Sequence, residues 1–135
     1  MKIEMDTRGF EKYRLTFGNA AVEAHIRAAL AEAVAMALRK VKERTPVQTG
    51  TLRREWRITA IVKDGDYWVV TLYNDTKYAP YVEYGHRTPP NKKTGERHWV
   101  KGQFMMKISC DEVKKNMGYI VQKHVNAMLA QMGFK

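Results

Sequence analysis

Cysteine is nearly missing from this sequence, which has Cys110 as its one thiol in 135 residues. A single cysteine excludes an intramolecular disulfide and a zinc site built from several cysteines, and it suits a reducing compartment. Long hydrophobic runs are also missing, since no uncharged stretch reaches about 18 residues. The first ten residues, MKIEMDTRGF, lack the apolar core of a signal peptide. We therefore expect neither secretion by that route nor a membrane-spanning segment.

Proline is sparse, with 4 residues, and the 9 glycines are an ordinary number, while 44% of the residues are apolar and 28% are charged. This composition excludes collagen-like and low-complexity chains. A length of 135 residues suits one globular domain with a substantial core. We therefore predict a single domain over residues 1–135, with residues 1–18 as a candidate mobile N-terminal segment.

Acidic residues are in deficit, because 14 Asp and Glu stand against 24 Lys and Arg. The formal net charge at pH 7 is +10. Such an excess makes nucleic acid, an anionic surface and an acidic partner subunit candidate neighbours, but it does not select among them.

The clearest helical pattern covers residues 19–44. Its apolar residues recur at three- and four-residue spacing and form one stripe: Val22, Ile26, Leu30, Ala33, Ala37 and Val41. Asn19 is the predicted N-cap, and Thr45-Pro46 ends the helix because the residue before a proline is driven out of the helical region. The last turn is basic, with Lys40, Lys42 and Arg44. These cations either complement the helix dipole or form an anion site.

Two segments rich in β-branched and aromatic residues follow, at 56–62 and 67–73. Asp64-Gly65-Asp66 between them is a turn signal, so the pair predicts a β-hairpin. After Pro80, residues 81–84 predict a short third strand.

Residues 85–103 show no helical or strand periodicity and contain two of the four prolines. Their basic and aromatic residues are candidates for contact with a partner or with DNA: Arg87, Lys92, Lys93, Arg97, Trp99 and Lys101. Long irregular segments in compact domains are usually functional or disordered. We predict a long mobile basic loop over 86–103 that is either solvated or bound to protein or nucleic acid.

A second helix is predicted from about residue 104 to residue 132. Its apolar face holds Ile108, Val113, Met117, Ile120, Val121, Val125, Met128 and Met132. The methionines suit either an adaptable binding surface or ordinary core filling. The order of elements predicts an α+β fold, in which two long helices pack on one face of a small antiparallel sheet that contains a β-hairpin.

No catalytic or metal-binding constellation is evident. The candidate ligands are Glu83, His86, His98 and Cys110. Their spacing is wide and they fall on different predicted elements, which is not typical of a metal site. A lone cysteine on an amphipathic helix is more typical of a small apolar residue than of a nucleophile, so a small hydrolase is the weakest alternative. We expect no enzyme activity, no metal and no cofactor.

Two stretches are more specific than these patterns. The first is TPVQTGTLRREW, residues 45–56, and the second is NDTKYAPYVEYGH, residues 74–86. Together they resemble the signature of the small tail-completion, or head-to-tail joining, proteins of long-tailed bacteriophages. In that family a helix ends in a Pro-x-x-Thr-Gly-x-Leu-Arg turn and a hairpin follows. A Tyr-Ala-x-Tyr-Val-Glu-x-Gly element then precedes a long loop and a closing helix.

The resemblance marks a set of residues for the fold or an interface: Pro46, Thr49, Gly50, Leu52, Arg53, Tyr78, Ala79, Tyr81, Val82, Glu83 and Gly85. In the first motif, Thr49-Gly50 allows a tight reversal, because glycine adopts positive φ without strain. Leu52 is expected to fold back on the core. Arg53 and Arg54 are expected at the start of the first strand.

The second motif has its own structural expectations. Its tyrosines can bury their rings and still hydrogen-bond through the hydroxyls. Pro80 suits an edge strand, where no backbone donor is needed. Glu83 is expected to pair with one of three arginines: Arg53, Arg54 or Arg87.

The resemblance implies a structural protein of the virion that completes the tail or the head-tail junction. Its subunits would form a ring, with a hexamer as the candidate size, around the DNA conduit. The implied partners are further copies of the chain, the phage connector or adaptor, and tail-tube or tail-terminator proteins. Non-specific contact with phage DNA is left open, and no membrane is involved.

The expected location is the virion, at the head-tail junction or tail end, and the host cytoplasm during assembly. The alternative is a basic nucleic-acid-binding protein that uses the basic loop and the helix end at 39–44.

Overall fold

The computed structural model describes residues 2–47, 50–65, 67–131 and 133. The elements in chain order are β1 Lys2–Asp6, α1 Arg8–Glu11, α2 Arg14–Phe17, α3 Asn19–Arg44, α4 Thr51–Arg54, β2 Trp56–Ile58, β3 Val62–Asp64, β4 Tyr67–Asn74, α5 Ala79–Tyr84, β5 Gly85–Arg87, β6 Trp99–Lys101 and α6 Met105–Gln131. The fold is α+β, as predicted, with the long helices α3 and α6 packed against an antiparallel sheet.

Strand β4 is the centre of this sheet. β1 pairs with one edge of β4, and β2 and β3 pair with the other edge, all antiparallel. The predicted hairpin is confirmed by β3 and β4, with Gly65 in the turn at φ +61°. Asp66, the last residue of the predicted turn, lies outside the described residues.

The first predicted strand is interrupted between β2 and β3. Ile58 pairs with Leu72 and Val62 pairs with Val69, so three residues of one strand face two residues of β4. This one-residue excess is a bulge. At its start, the Thr71 amide donates to Thr59 Oγ1 at 2.9 Å, so a side-chain oxygen accepts this hydrogen bond on the bulged strand.

Helix α3 has the predicted bounds, and its predicted stripe is fully buried. The prediction of Asn19 as the N-cap is wrong, because Asn19 is the first helical residue and Gly18 at φ +84° precedes the helix. Asn19 Oδ1 instead accepts a hydrogen bond from Arg14 at 3.0 Å. The side chain therefore ties α2 to the start of α3.

Helix α6 buries most of its predicted face, including Val113, Ile120, Val125 and Met128. Ile108 is an exception, because it is exposed to solvent. Met132 lies outside the described residues. The buried methionines belong to the main core, which supports core filling rather than a binding surface for them.

Residues 2–17, where the sequence predicted no element, contribute to the core. Ile3 and Met5 of β1 and Phe10 of α1 are fully buried. The mobility expected of residues 1–18 stays a prediction, and this packing argues against it. The local pattern is too short to predict a strand, which forms because β4 offers an edge.

Ion pairs connect the two long helices. Glu112 of α6 pairs with Lys40 at 2.8 Å and with Arg44. Glu32 of α3 pairs with Lys123 and lies 2.9 Å from His124 Nε2. Two of the three cations in the last turn of α3 thus have a carboxylate partner, which argues against a free anion site there.

Candidate functional site

The first motif begins where α3 ends. Thr45 is extended, as required before Pro46, and its hydroxyl accepts a hydrogen bond from the Trp56 indole at 2.8 Å. The same hydroxyl donates to the Val41 carbonyl at 2.5 Å. These bonds fix the motif between α3 and β2. Thr49, the predicted turn residue, lies outside the described residues.

Gly50 carries the reversal predicted for this motif, because it has φ +80° in the left-handed region. Leu52 faces the core as expected and is 4% exposed. The expected strand position of Arg53 and Arg54 is wrong, because both belong to the short helix α4 before β2. A Cβ on Gly50 would lie 2.8 Å from Arg54 Nη1, so the guanidinium covers the glycine.

The second motif forms helix α5 and not the predicted third strand. Proline is well tolerated in the first turn of a helix because its missing N–H has no intrahelical partner there. The edge-strand expectation for Pro80 is therefore wrong. The tyrosine rings are not buried either: Tyr78 is 42% exposed and Tyr81 is 59% exposed.

Glu83 is a buried carboxylate that caps helix α6. It is 4% exposed, and its two oxygens accept the backbone N–H groups of Met106 and Lys107, each at 3.0 Å. The ion pair expected with Arg53, Arg54 or Arg87 is absent from the described residues. A negative charge at this place satisfies donors that the helix itself leaves free.

Two glycines let the chain cross itself beside this cap. A Cβ on Gly85 would lie 2.6 Å from the Val100 carbonyl oxygen, and one on Gly102 would overlap the backbone at Glu83 and Tyr84. The Gln103 amide donates to the Val82 carbonyl at 2.8 Å, close to this crossing. The base of the following segment is therefore closely packed on α5.

Residues 85–103 form a hairpin where the sequence predicted an irregular loop. β5 and β6 pair antiparallel, with Arg87 opposite Trp99. Beyond them, the Thr88 amide donates to the His98 carbonyl at 2.7 Å, and the Asn91 amide donates to the Glu96 carbonyl at 2.9 Å. The pairing is invisible to periodicity because each strand has three residues. Mobility of this hairpin stays a prediction.

The predicted contact residues of this hairpin are exposed. Trp99 is 63% exposed, and the five cations are exposed as well: Arg87, Lys92, Lys93, Arg97 and Lys101. None of these cations forms an ion pair with another described residue.

The two motifs and the hairpin enclose one surface cleft of about 700 Å³. It is lined by Pro46, Gly50, Leu52, Tyr78, Tyr81, Val82, His86, Val100, Lys101 and Gln103. We call this the motif cleft. His86 lies against Tyr81, with ring centroids 5.9 Å apart in an edge-to-face arrangement.

Most predicted motif residues thus line the motif cleft or support it. Arg53, Ala79, Glu83 and Gly85 are outside the lining, and Arg53 and Glu83 hydrogen-bond to neighbouring backbone. The cations at the tip of the hairpin, Lys92, Lys93 and Arg97, are outside the lining as well. Val100 and Gln103 were missed, because nothing in their local pattern distinguishes them. They enter the site only through the hairpin.

The described residues hold no group of three or more His, Cys, Asp or Glu that would suit a metal ion. Cys110 is buried, and this burial raises the pKa of its thiol. A raised pKa disfavours the reactive thiolate. No described helix is long and apolar enough to cross a bilayer.

The fold and the cleft define a class: an α+β protein in which two motifs, distant in sequence, meet at one surface. Residues 7–85 match the model of the family described as "Bacteriophage HK97-gp10, putative tail-component". The chain belongs to this family, and it is a structural, tail-related protein of a bacteriophage. Neither the curated proteins nor the solved structures give a match.

Proposed function

We propose that this protein completes the phage tail or the head-tail junction, as a ring of subunits around the DNA conduit. The observation that carries the proposal is the motif cleft. Pro46, Gly50, Tyr78 and Tyr81 of the two motifs converge there, and both tyrosines are exposed instead of packed in the core.

Exposed aromatic residues around the cleft support an assembly role. Tyr78, Tyr81, Tyr84 and Trp99 are all exposed; Tyr78 immediately precedes α5, Tyr81 and Tyr84 lie on α5, and Trp99 lies on β6. Aromatic residues are enriched in the buried centres of protein interfaces, and clustered exposed apolar groups mark interaction sites. Neighbouring virion proteins are the partners that this surface would contact.

The β5–β6 hairpin, residues 85–103, supplies the second part of the proposed mechanism. Its tip becomes fixed when neighbouring subunits or the connector and tail proteins are in place, so the free subunit stays separate until a template exists. The phage location would be the head-tail junction or the tail end, after assembly in the host cytoplasm.

Deletion of the gene from the phage or prophage that carries it tests this function. Negative-stain electron microscopy of the lysate should show DNA-filled heads beside separate or overlong tails. A plasmid copy should restore joined particles, and a copy with Tyr81→Ala should not. Tyr119→Ala is the matched control, since Tyr119 is also an exposed tyrosine but lies on α6. Normal infectious particles from the deletion strain would refute the proposal.

A second function, non-specific nucleic-acid binding, is favoured by one observation: the hairpin carries five exposed cations and an exposed tryptophan. Such a surface binds phosphates with an affinity that falls steeply with salt, and the indole can stack on bases. Fluorescence anisotropy with labelled single- and double-stranded DNA at two salt concentrations measures this. Binding that is independent of salt, or unchanged by combined Lys92→Ala and Lys93→Ala, would exclude this mode.

A further inference from the structure

The motif cleft combines an apolar lining with positive charge. The apolar surface comes from Pro46, Leu52, Val82 and Val100. The lining also includes the positively charged side chain of Lys101. A cavity of about 700 Å³ accommodates a few side chains of a bound peptide.

Two arginines add positive charge at the first motif. Arg54 lies over Gly50, which is part of the lining. Arg53 donates to the Thr45 carbonyl at 3.4 Å, beside Pro46. Cations of α4 and of β6 therefore border the cleft.

These cations lack carboxylate partners within the described part of the chain. Arg53 bonds a carbonyl and Arg54 bonds the Thr51 hydroxyl at 3.5 Å, and Lys101 forms no ion pair there. The carboxylate on the adjacent α5, Glu83, is buried with both oxygens engaged by α6. Among the described residues, no acidic side chain lines the cleft. The site thus carries unneutralised positive charge around apolar surface.

We propose that the motif cleft binds an acidic peptide segment of another protein. A leucine or aromatic side chain of that segment fills the apolar part, and flanking carboxylates pair with Lys101 and Arg54. The hydroxyls of Tyr78 and Tyr81 are placed to hydrogen-bond the peptide backbone. A second copy of this chain fits the charge less well, because its own net charge is +10. The identification of the partner as a virion protein rests on the proposed function, whereas the peptide chemistry does not.

Selection from a random displayed peptide library, with the full-length protein as bait, tests the inference without assuming a partner. The enriched peptides should share acidic residues around a leucine or aromatic residue. The strongest peptide, labelled and measured by fluorescence anisotropy, should bind more weakly as salt is added, because exposed charge pairs are screened.

Matched variants locate the binding. Lys101→Glu and Tyr81→Ala should each weaken binding of that peptide by about tenfold or more, as expected for central interface residues. Lys115→Glu and Tyr119→Ala make the same changes on exposed positions of α6 and should leave the affinity within about twofold. Circular dichroism spectra should show that all four variants keep the fold.

Enrichment of basic or uncharged peptides would overturn the inference. So would enrichment no greater than that on a Lys101→Glu and Tyr81→Ala double variant, or an equal loss of affinity in the α6 controls. Self-association that Tyr81→Ala abolishes would assign the cleft to a second copy and would also overturn it. Failure here leaves the deletion phenotype in place. A normal deletion strain with intact peptide binding would instead refute the proposed function alone.

Discussion

Glu83 shows how a motif residue acts through the backbone of a distant element. Its carboxylate is buried on α5 and holds the first turn of α6 through two N–H groups. The sequence indicated that this acid needs a partner, and arginine side chains were the obvious candidates. The actual partners are main-chain donors, which are present at every helix start and leave no mark in the sequence.

Replacement of the Glu83 carboxylate measures how much this cap contributes to the stability of the fold. Glu83→Ala should lower the free energy of unfolding by about 1–3 kcal/mol, since it leaves buried donors unsatisfied. Glu83→Gln keeps one acceptor and should cost less. Urea denaturation measures both, with Arg53→Ala and Arg87→Ala as controls. Losses in those controls as large as the loss in Glu83→Ala would restore the ion-pair interpretation.

Alanine substitutions at Gly102 and Gly118 are expected to change the stability of the protein in opposite directions. A Cβ on Gly102 would overlap the backbone of α5, whereas a Cβ on Gly118 meets nothing within 4 Å inside α6. Gly102→Ala should therefore destabilise the protein. Gly118→Ala should stabilise it by about 0.5–1 kcal/mol, because alanine loses less backbone entropy in a helix. Thermal denaturation checks the signs, and stabilisation by Gly102→Ala would contradict the close crossing.

At the scale of elements, α3 and α6 are joined by a core and by surface ion pairs. Hydrogen bonds from Lys123 lower the pKa of Glu32, and hydrogen bonds from Lys40 lower that of Glu112. Carboxylates with a lowered pKa in the folded state stabilise the protein above their ordinary pKa, and this stabilisation is lost as the pH falls through the folded-state value.

The combined variant Glu32→Gln and Glu112→Gln should therefore be less stable than the parent protein at pH 7. The difference should shrink as the pH falls below the ordinary value of 4.5. Thermal midpoints at pH 7 and pH 3 measure it. Glu4→Gln is a control on β1, outside these pairs. A difference that is the same at both pH values would show that the two carboxylates act other than through their charge.

The outer part of the β5–β6 hairpin, residues 89–97, is exposed throughout. Replacement of residues 89–97 by an Asn-Gly turn keeps β5 and β6, and we expect the thermal midpoint of the subunit to stay unchanged. Particle completion in the complementation assay should be lost, because the basic tip is removed. Lys115→Glu serves as a surface control that leaves the hairpin intact. A normal phage titre from the shortened protein would exclude a role for the tip in assembly.

For the whole molecule, much of the fold follows from periodicity. The stripe on α3 and most of that on α6 are long enough to predict both helices, and the β3–β4 hairpin follows from its turn residues. The short elements were not predictable in the same way. β1, α5 and β6 have between three and six residues, so their local preferences are weak and their partners decide their conformation.

The candidate site was also predictable only in part. The motif residues Pro46, Gly50, Tyr78 and Tyr81 were identified from the sequence through family resemblance, while their meeting in one cleft required the folded chain. His86 was considered as a metal ligand or a catalytic residue and not as part of an interface. Val100 and Gln103 carried no signal, because they reach the cleft only through the pairing of β5 with β6 and the crossing at Gly85 and Gly102.

By itself the sequence determined the class of fold, the two long helices, the excess of positive charge and the phage tail family. These properties depend on composition, on repeated spacing and on contiguous motifs. The tertiary structure decided that Glu83 caps a helix, that the tyrosines are exposed and that both motifs border a single cleft. Each of these depends on contacts between residues far apart in the chain, and such contacts form only when burial of the common core brings the elements together.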